Sequence, residues 1–272
     1  MLKFIGSSNI KNFMKHYLES EGEWFRDKDV IDIPAGSGYT SSIVASLGGK
    51  VRAYDLFPQF FTAEGLNCEE ADLAEQLPIE DESADMLICQ EGIEHLQDQL
   101  AVLKEFNRVL KPNGRLLITT PNISHLRAKV SYLLTESDLY KRMPSNELDG
   151  LWFSGDNKMY FGHIFLINAQ KLRTLATIAG FRLNRILTVK ASIASLLLSF
   201  IYPLILLVNG YAYLRNVYRK DEYEISDKKR VYSEIFKLNI HPITLYGKHI
   251  FWELIKDPEI VLRVNRNEDG II

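Results

Sequence analysis

Cysteine is scarce in this chain: Cys68 and Cys89 are the only two among 272 residues. Two thiols exclude a disulfide framework, and no partner spacing around them suggests a metal site. Both read as small core residues of a protein in a reducing, cytoplasmic setting. An excess of basic charge is also missing. The formal net charge is -3, which argues against a surface built for unspecific nucleic-acid binding. The first stretch, MLKFIGSSNIKNFMKHYLESEGEWF, lacks a long apolar core and reads as one or two helices, not a secretion signal. Internal repeats are absent too. What remains is an ordinary globular composition, 46% apolar and 25% charged, with material for a real core.

Strand-like runs alternate with helical patterns. DVIDI (29–33), KVRAYDL (50–56), LNCEEADL (66–73), ADMLICQ (84–90), RLLITTP (115–121), RLNRILTV (182–189) and TLYGKHIFWELI (244–255) read as strands. TSSIVASLG (40–48), QLAVLKEFNRVLKPNG (99–114) and NAQKLRTLATIAGF (168–181) read as helices. In the second of these, Leu100, Leu103, Phe106, Val109 and Leu110 share a face, and Pro112 and Gly114 stop it. The expected fold is α/β: a doubly wound, mostly parallel, Rossmann-like seven-stranded sheet with helical cap insertions. Ligands of such sheets sit at the carboxyl ends of the strands. The expected organisation is a helical segment over 1–27, a ligand-binding core over 28–121 and a variable cap over 122–160. Residues 161–190 and 244–256 complete the sheet, and 191–243 form an insertion.

The stretch VIDIPAGSGYTSS places Pro34, Gly36 and Gly38 directly behind the first strand. A strand, a tight glycine turn and a helix start bring backbone N–H groups to one point, and glycine lets a ligand approach the backbone closely. Asp55 ends the second strand, where an acid can accept hydrogen bonds from a ribose diol. Together these features indicate a nucleoside-like cofactor. A plain strand-to-helix turn is the alternative for the glycines, and a helix cap for Asp55 and Asp72. The nicotinamide fingerprint G-x-G-x-x-G lacks its third glycine here, since Tyr39, Thr40 and Ser41 follow Gly38.

The turn instead resembles D-x-G-x-G-x-G, the first motif of class I S-adenosylmethionine-dependent methyltransferases, present as Asp32, Pro34, Gly36 and Gly38. Three further stretches are similar to that family: residues 69–98, 105–122 and 162–181. The whole is most like the ubiquinone/menaquinone-biosynthesis type of small-molecule methyltransferase. The resemblance implies S-adenosyl-L-methionine as cofactor, held by Asp32, Ala35, Gly36, Ser37, Gly38, Asp55, Leu56, Asp72, Leu73, Gln90 and Glu91. In that reading Gly36 and Gly38 lie under the methionine part, and Asp32 orients its amino group. Asp55 holds the ribose hydroxyls, Leu56 covers the adenine, Asp72 and the Leu73 backbone meet its edge, and Gln90 and Glu91 floor the site. One departure stands out: Pro34 occupies the first glycine position, fixing φ and removing an N–H.

Methyl transfer to a hydroxyl calls for alignment and a proton acceptor. His95 and His163 are the first candidates for that base, followed by Glu91. His125 follows the fifth strand, on the side expected to flank the substrate. No residue is assigned to a metal. The strand-four sequence CQEG lacks the Asn/Asp-Pro-Pro-aromatic tetrapeptide used on exocyclic base amines, so no nucleic-acid partner is expected. The expected acceptor is an O or N atom of a small molecule, a glycan or a lipid-like molecule. A non-catalytic cofactor-binding scaffold, motivated by Pro34, and a nicotinamide or nucleotide-sugar enzyme are the alternatives.

Residues 191–214, ASIASLLLSFIYPLILLVNGYAYL, carry no charge. Their length suits a bilayer span, but they lie between the last two expected strands, and one crossing would separate those strands. Ser192, Ser195, Ser199 and Tyr202 fall on one helical stripe, leaving a broad apolar face. Pro203 and Asn209-Gly210 are expected to break or kink the helix. A lid or homodimer face, a peripheral contact at the inner face of the membrane, and a wall of an apolar substrate pocket stay open. Residues 219–230, rich in both signs of charge, read as a solvated segment.

Overall fold

The computed structural model describes residues 10–148, 150–153, 159–221 and 223–260. The first nine residues of the expected helical segment over 1–27, residues 149 and 154–158 of the expected cap, and Glu222 lie outside them. The centre is a seven-stranded sheet built from β1 (Asp29–Asp32), β2 (Lys50–Asp55), β3 (Cys68–Glu70), β4 (Ala84–Gln90), β5 (Leu110–Pro121), β8 (Phe181–Ile186) and β9 (His249–Lys256). A separate hairpin pairs β6 (Leu151–Phe153) with β7 (Met159–Phe161). The sheet order is β3-β2-β1-β4-β5-β9-β8. The first five strands run parallel, and β9 inserts antiparallel to both β5 and β8. Strand order reverses at β1, so the crevice above β1 and β4 is the topological switch point where such folds bind ligands.

Alternate residues of each strand fill two cores. Ile31, Leu87, Ile118 and Trp252 face α3 (Gln99–Val109) and α5 (Ala169–Ile178), against Phe106 and Leu172. Val30, Met86, Leu117 and Phe251 face α1 (Ile10–Ser20) and α2 (Tyr39–Ser46), against Met14 and Val44. Burial on both faces explains the near-continuous apolar runs of β1 and β4. In β9, Glu253 is fully buried beside Tyr17 of α1. The Tyr17 hydroxyl donates to Glu253 Oε2 at 2.5 Å, and Arg185 Nε donates to Oε1 at 3.0 Å.

Several boundaries differ from expectation. The helix expected over 99–114 ends at Val109, and β5 begins at Leu110. Proline disfavours helical geometry in the residue before it, so Pro112 pushes Lys111 into extended backbone. The last strand starts at His249, not 244, because Pro242 opens a short helix, α9 (Pro242–Tyr246), in which the His241 ring accepts from the Ile243 N–H. Between β8 and β9 stand α6 (Ile193–Leu197), α7 (Tyr202–Val217) and α8 (Ile225–Ile240). Pro203 lies in the first turn of α7, where its missing N–H costs nothing, and Asn209-Gly210 leave α7 unbroken. Past β5, α4 (Leu126–Thr135) is capped by the His125 ring, which accepts from Ala128 N–H at 3.2 Å. Burial pushes that imidazole down to a pKa of about 3, so it stays a neutral cap.

Candidate active site

The β1–α2 turn is built by its own backbone. Gly36 and Gly38 have φ of 54° and 79°, the left-handed region that glycine enters without steric cost. Ala35 N–H donates to Tyr54 O of β2 at 2.9 Å, and Gly38 N–H to Ala35 O at 2.9 Å. Asp55 ties the turn to the end of β2: its Oδ2 accepts from Gly36 N–H at 2.7 Å and its Oδ1 from Phe57 N–H at 2.8 Å. Each carboxylate oxygen keeps a second lone pair for a ligand. A Cβ at Gly36 would meet nothing within 4 Å, whereas one at Gly38 would meet Ala63 Cβ and the Phe61 ring at 2.6 Å. Gly36 therefore faces open space, and Gly38 makes room for the 61–63 loop. The loop is pinned there by Thr62 N–H donating to Ser37 O at 3.2 Å. Pro34 packs toward Gly92, whose Cβ position lies 2.7 Å from the proline ring.

A cavity of about 840 Å³ opens above the carboxyl ends of these strands. Of the residues singled out in the sequence, Asp55, Leu56, Asp72, Leu73, Glu91 and His95 line it. One oxygen of Asp72 also accepts from Ala74 N–H at 2.9 Å. Asp32, Ala35, Gly36, Ser37, Gly38, Gln90 and His163 are not among the lining residues. Asp32 is buried under α2, where Ser41 Oγ donates to it at 2.5 Å, and burial raises its pKa to about 7. Gln90 accepts from Thr40 Oγ1 at 3.0 Å.

Glu91 occupies a strained position, φ 53°, just past β4. Thr119 of β5 holds it from both ends: Glu91 N–H donates to Thr119 O at 3.0 Å, and Thr119 Oγ1 donates to Glu91 Oε1 at 2.9 Å. Burial, with Glu94 nearby, raises the Glu91 pKa to about 7. His249 Nε2 lies 3.8 Å from Glu91 Oε2. The antiparallel direction of β9 puts its first residue beside Pro121, the last of β5, and so at this end of the sheet.

His95 and His163 meet, with ring centroids 5.1 Å apart. Each sits on a short 3₁₀ turn, Ile93–His95 and His163–Phe165. Buried Gln99 joins the two turns, its Nε2 donating to Ile93 O at 3.1 Å and to Phe165 O at 2.6 Å. His95 Nδ1 lies 2.9 Å from Phe161 O. A carbonyl only accepts, so Nδ1 carries the hydrogen and Nε2 keeps a free lone pair. Partial burial and the neighbouring His95 hold the His163 pKa below its usual value. Sequence reasoning missed Glu94. It is fully buried, accepts from Thr120 Oγ1 at 2.9 Å through Oε2, and leaves Oε1 without a partner. Ligand atoms of Glu94, His95 and His163 all lie within 4.8 Å of one another, an acid-and-imidazole set that could hold a divalent cation. The adjacency of Glu94 and His95 in EGIEHL was the available signal.

Residues 31–118 match the family model described as a methyltransferase domain. A ubiquinone biosynthesis O-methyltransferase of Xanthomonas campestris is 33% identical over 105 residues, covering 34% of this chain and 43% of the relative. One of the same name from Histophilus somni is 25% identical over 146 residues, covering 49% of this chain and 61% of the relative. This chain thus spans less than two thirds of either relative's length. A crystal structure of an S-adenosylmethionine-dependent methyltransferase from Archaeoglobus fulgidus superposes with a TM-score of 0.53 at 16% identity, covering 93% of this chain and 96% of that one. That likeness is one of fold. Residues 31–118 are thus similar to a methyltransferase domain, and the strand order around the glycine turn is of the fold seen in that solved S-adenosylmethionine-dependent methyltransferase.

Proposed function

We propose that the protein transfers a methyl group from S-adenosylmethionine to a hydroxyl oxygen of a small-molecule acceptor. The observation that carries this reading is one cavity lined by Asp55 and Asp72 together with Glu91 and His95, whose Nδ1 is taken by the Phe161 carbonyl. The residues suit the cofactor: carboxylates for hydroxyl and amino donors, Leu56 and Leu73 for an apolar ring face, and an uncovered Gly36 for close backbone approach. When bound, the cofactor supplies an electrophilic methyl on a sulfonium. Asp55 and Asp72 orient the nucleoside part. Glu91, locked by Thr119, positions the acceptor. His95 Nε2 takes the hydroxyl proton as oxygen attacks, and the Phe161 carbonyl stabilises the imidazolium through Nδ1–H. Both relatives are O-methyltransferases by name, which favours oxygen over nitrogen as the acceptor atom.

The unpartnered Oε1 of Glu94 supports a second arrangement, in which Glu94, His95 and His163 hold a divalent cation that acidifies the acceptor hydroxyl. Calorimetric titration with S-adenosylmethionine and its demethylated product tests the main reading. Binding is expected for wild type and strongly weakened in Asp55→Asn, and no binding by wild type overturns it. Methylation assays on hydroxylated acceptors with chelator or added Mn²⁺ separate a bare His95 base from the cation arrangement.

A further inference from the structure

Residues Ile193–Val217 form a continuous helical stretch of 25 residues, in which Ser195 and Val217 alone are buried. Ile193, Leu197, Phe200, Leu204, Leu207, Tyr211 and Leu214 repeat every three or four residues and are each at least 55% exposed. Leu196, Leu206 and Val208 flank that stripe and are exposed too. The polar groups point the other way. Asn209 Oδ1 accepts from Asn239 of α8 at 2.7 Å, the Tyr202 hydroxyl donates to Ile240 O at 3.3 Å, and buried Ser195 Oγ lies 2.9 Å from His125 Nδ1. A soluble surface helix does the reverse, apolar in and polar out.

The chain cannot thread through a bilayer here, because β8 and β9, on either side of the stretch, are neighbours in one sheet, and α7 returns through α8 packed along it. A helix pair lying in the plane of a surface satisfies both facts; at 1.5 Å per residue the stretch is roughly 37 Å long. Charge identifies the surface. Between residues 191 and 220 the only charged side chains are Arg215, Arg219 and Lys220, all exposed and all basic. The first acid beyond them, Asp221, is held by Lys228 Nζ at 2.8 Å. Tyr211 and Tyr218, amphipathic rings suited to a headgroup layer, are exposed at the same basic end. A coiled-coil partner wants a narrow seam bordered by charges; here the apolar face is broad and uncharged until Arg215.

We propose that α6 and α7 dock flat into the surface of an anionic phospholipid bilayer, with Arg215, Arg219 and Lys220 on the headgroups. The docked element leaves the sheet beside the active end: Ala191 bridges Gly247, two residues before His249, which neighbours Glu91. The inference stands independently of the methyl-transfer reading.

Sedimentation of the full chain with vesicles tests it, using phosphatidylcholine alone or with about 30 mole per cent phosphatidylglycerol. Wild type is expected to bind the anionic vesicles about tenfold better than the neutral ones, with high salt reducing that preference. Phe200→Glu with Leu207→Glu is expected to abolish binding while leaving circular dichroism and S-adenosylmethionine affinity unchanged, because both side chains are exposed. Arg219→Glu with Lys220→Glu is expected to lose only the anionic preference. Wild type remaining in the supernatant overturns the proposal, as does unaltered binding by the Phe200/Leu207 variant. A vesicle-independent dimer that this variant dissolves would assign the face to a second copy instead and likewise overturn it.

Discussion

The Nδ1 of His95 lies 2.9 Å from the carbonyl oxygen of Phe161, a residue 66 positions further along the chain. That contact selects the imidazole tautomer with its hydrogen on Nδ1, and His95 lines the cavity that Glu91 shares. His95→Gln keeps a donor for the carbonyl but removes the base. If His95 takes the proton, kcat is expected to fall by about 10²–10⁴-fold with cofactor affinity nearly unchanged. Single-turnover assays across pH check this, and an unaltered kcat removes His95 from the chemistry.

The two glycines of the turn are expected to respond differently. At Gly38 an added methyl group meets Ala63 and Phe61 at 2.6 Å, at φ 79°. Gly38→Ala should cost about 1–3 kcal/mol of stability in urea denaturation. At Gly36 the methyl meets nothing, so Gly36→Ala carries only the backbone cost, about 1 kcal/mol. Its larger effect is expected in weaker cofactor binding, read by calorimetry.

Asp32 gives a pH signature. Burial raises its pKa from 3.8 to about 7 in the folded protein. The native state then holds a proton that the unfolded state has released between those values. Its contribution to stability is complete below pH about 3.8 and is lost as pH rises through about 7. Asp32→Asn keeps an acceptor for Ser41 and does not titrate. Relative to wild type, this variant is expected to gain stability between pH 4 and 8, by at most about 4 kcal/mol. Parallel urea melts across that range measure the difference; a pH-independent difference rules out the buried protonated acid.

Glu253 is fully buried and takes hydrogen bonds from Tyr17, Asn184 and Arg185. Here the pairing outweighs desolvation, and its pKa lies below the usual glutamate value. Glu253→Ala removes the acceptor of the Tyr17 hydroxyl, while Arg185 keeps Glu21 at 3.1 Å, and is expected to cost about 1–3 kcal/mol. Tyr17→Phe removes one donor and should cost about 1 kcal/mol. Thermal melts of both variants distinguish a working network from incidental proximity.

Local features were legible in the residue order. Asp55 and Glu91 could be placed at strand ends because a strand ends where its apolar run meets turn residues, within a few positions. The strand at 84–90 was read to its observed bounds for the same reason. The helix at 99–109 was drawn too long, because its apolar spacing continues through Leu110 into β5. The approach of His249 to Glu91 was not legible, since it depends on β9 running antiparallel beside β5. Nor was Glu94, whose orphaned oxygen appears only once Thr120 and the surrounding core have closed over it.

By itself, the order of residues determined the alternation of strands and helices, the glycine turn behind β1, and an uncharged stretch with two unlike faces. Backbone preference and apolar periodicity act over a few residues, so they are written locally. Only the tertiary structure decided that His95 meets His163, that Phe61 covers Gly38, and that α7 turns its polar face to α8 and its apolar face outward. Each of these depends on segments far apart in sequence packing together, and on which face is left once the core is full.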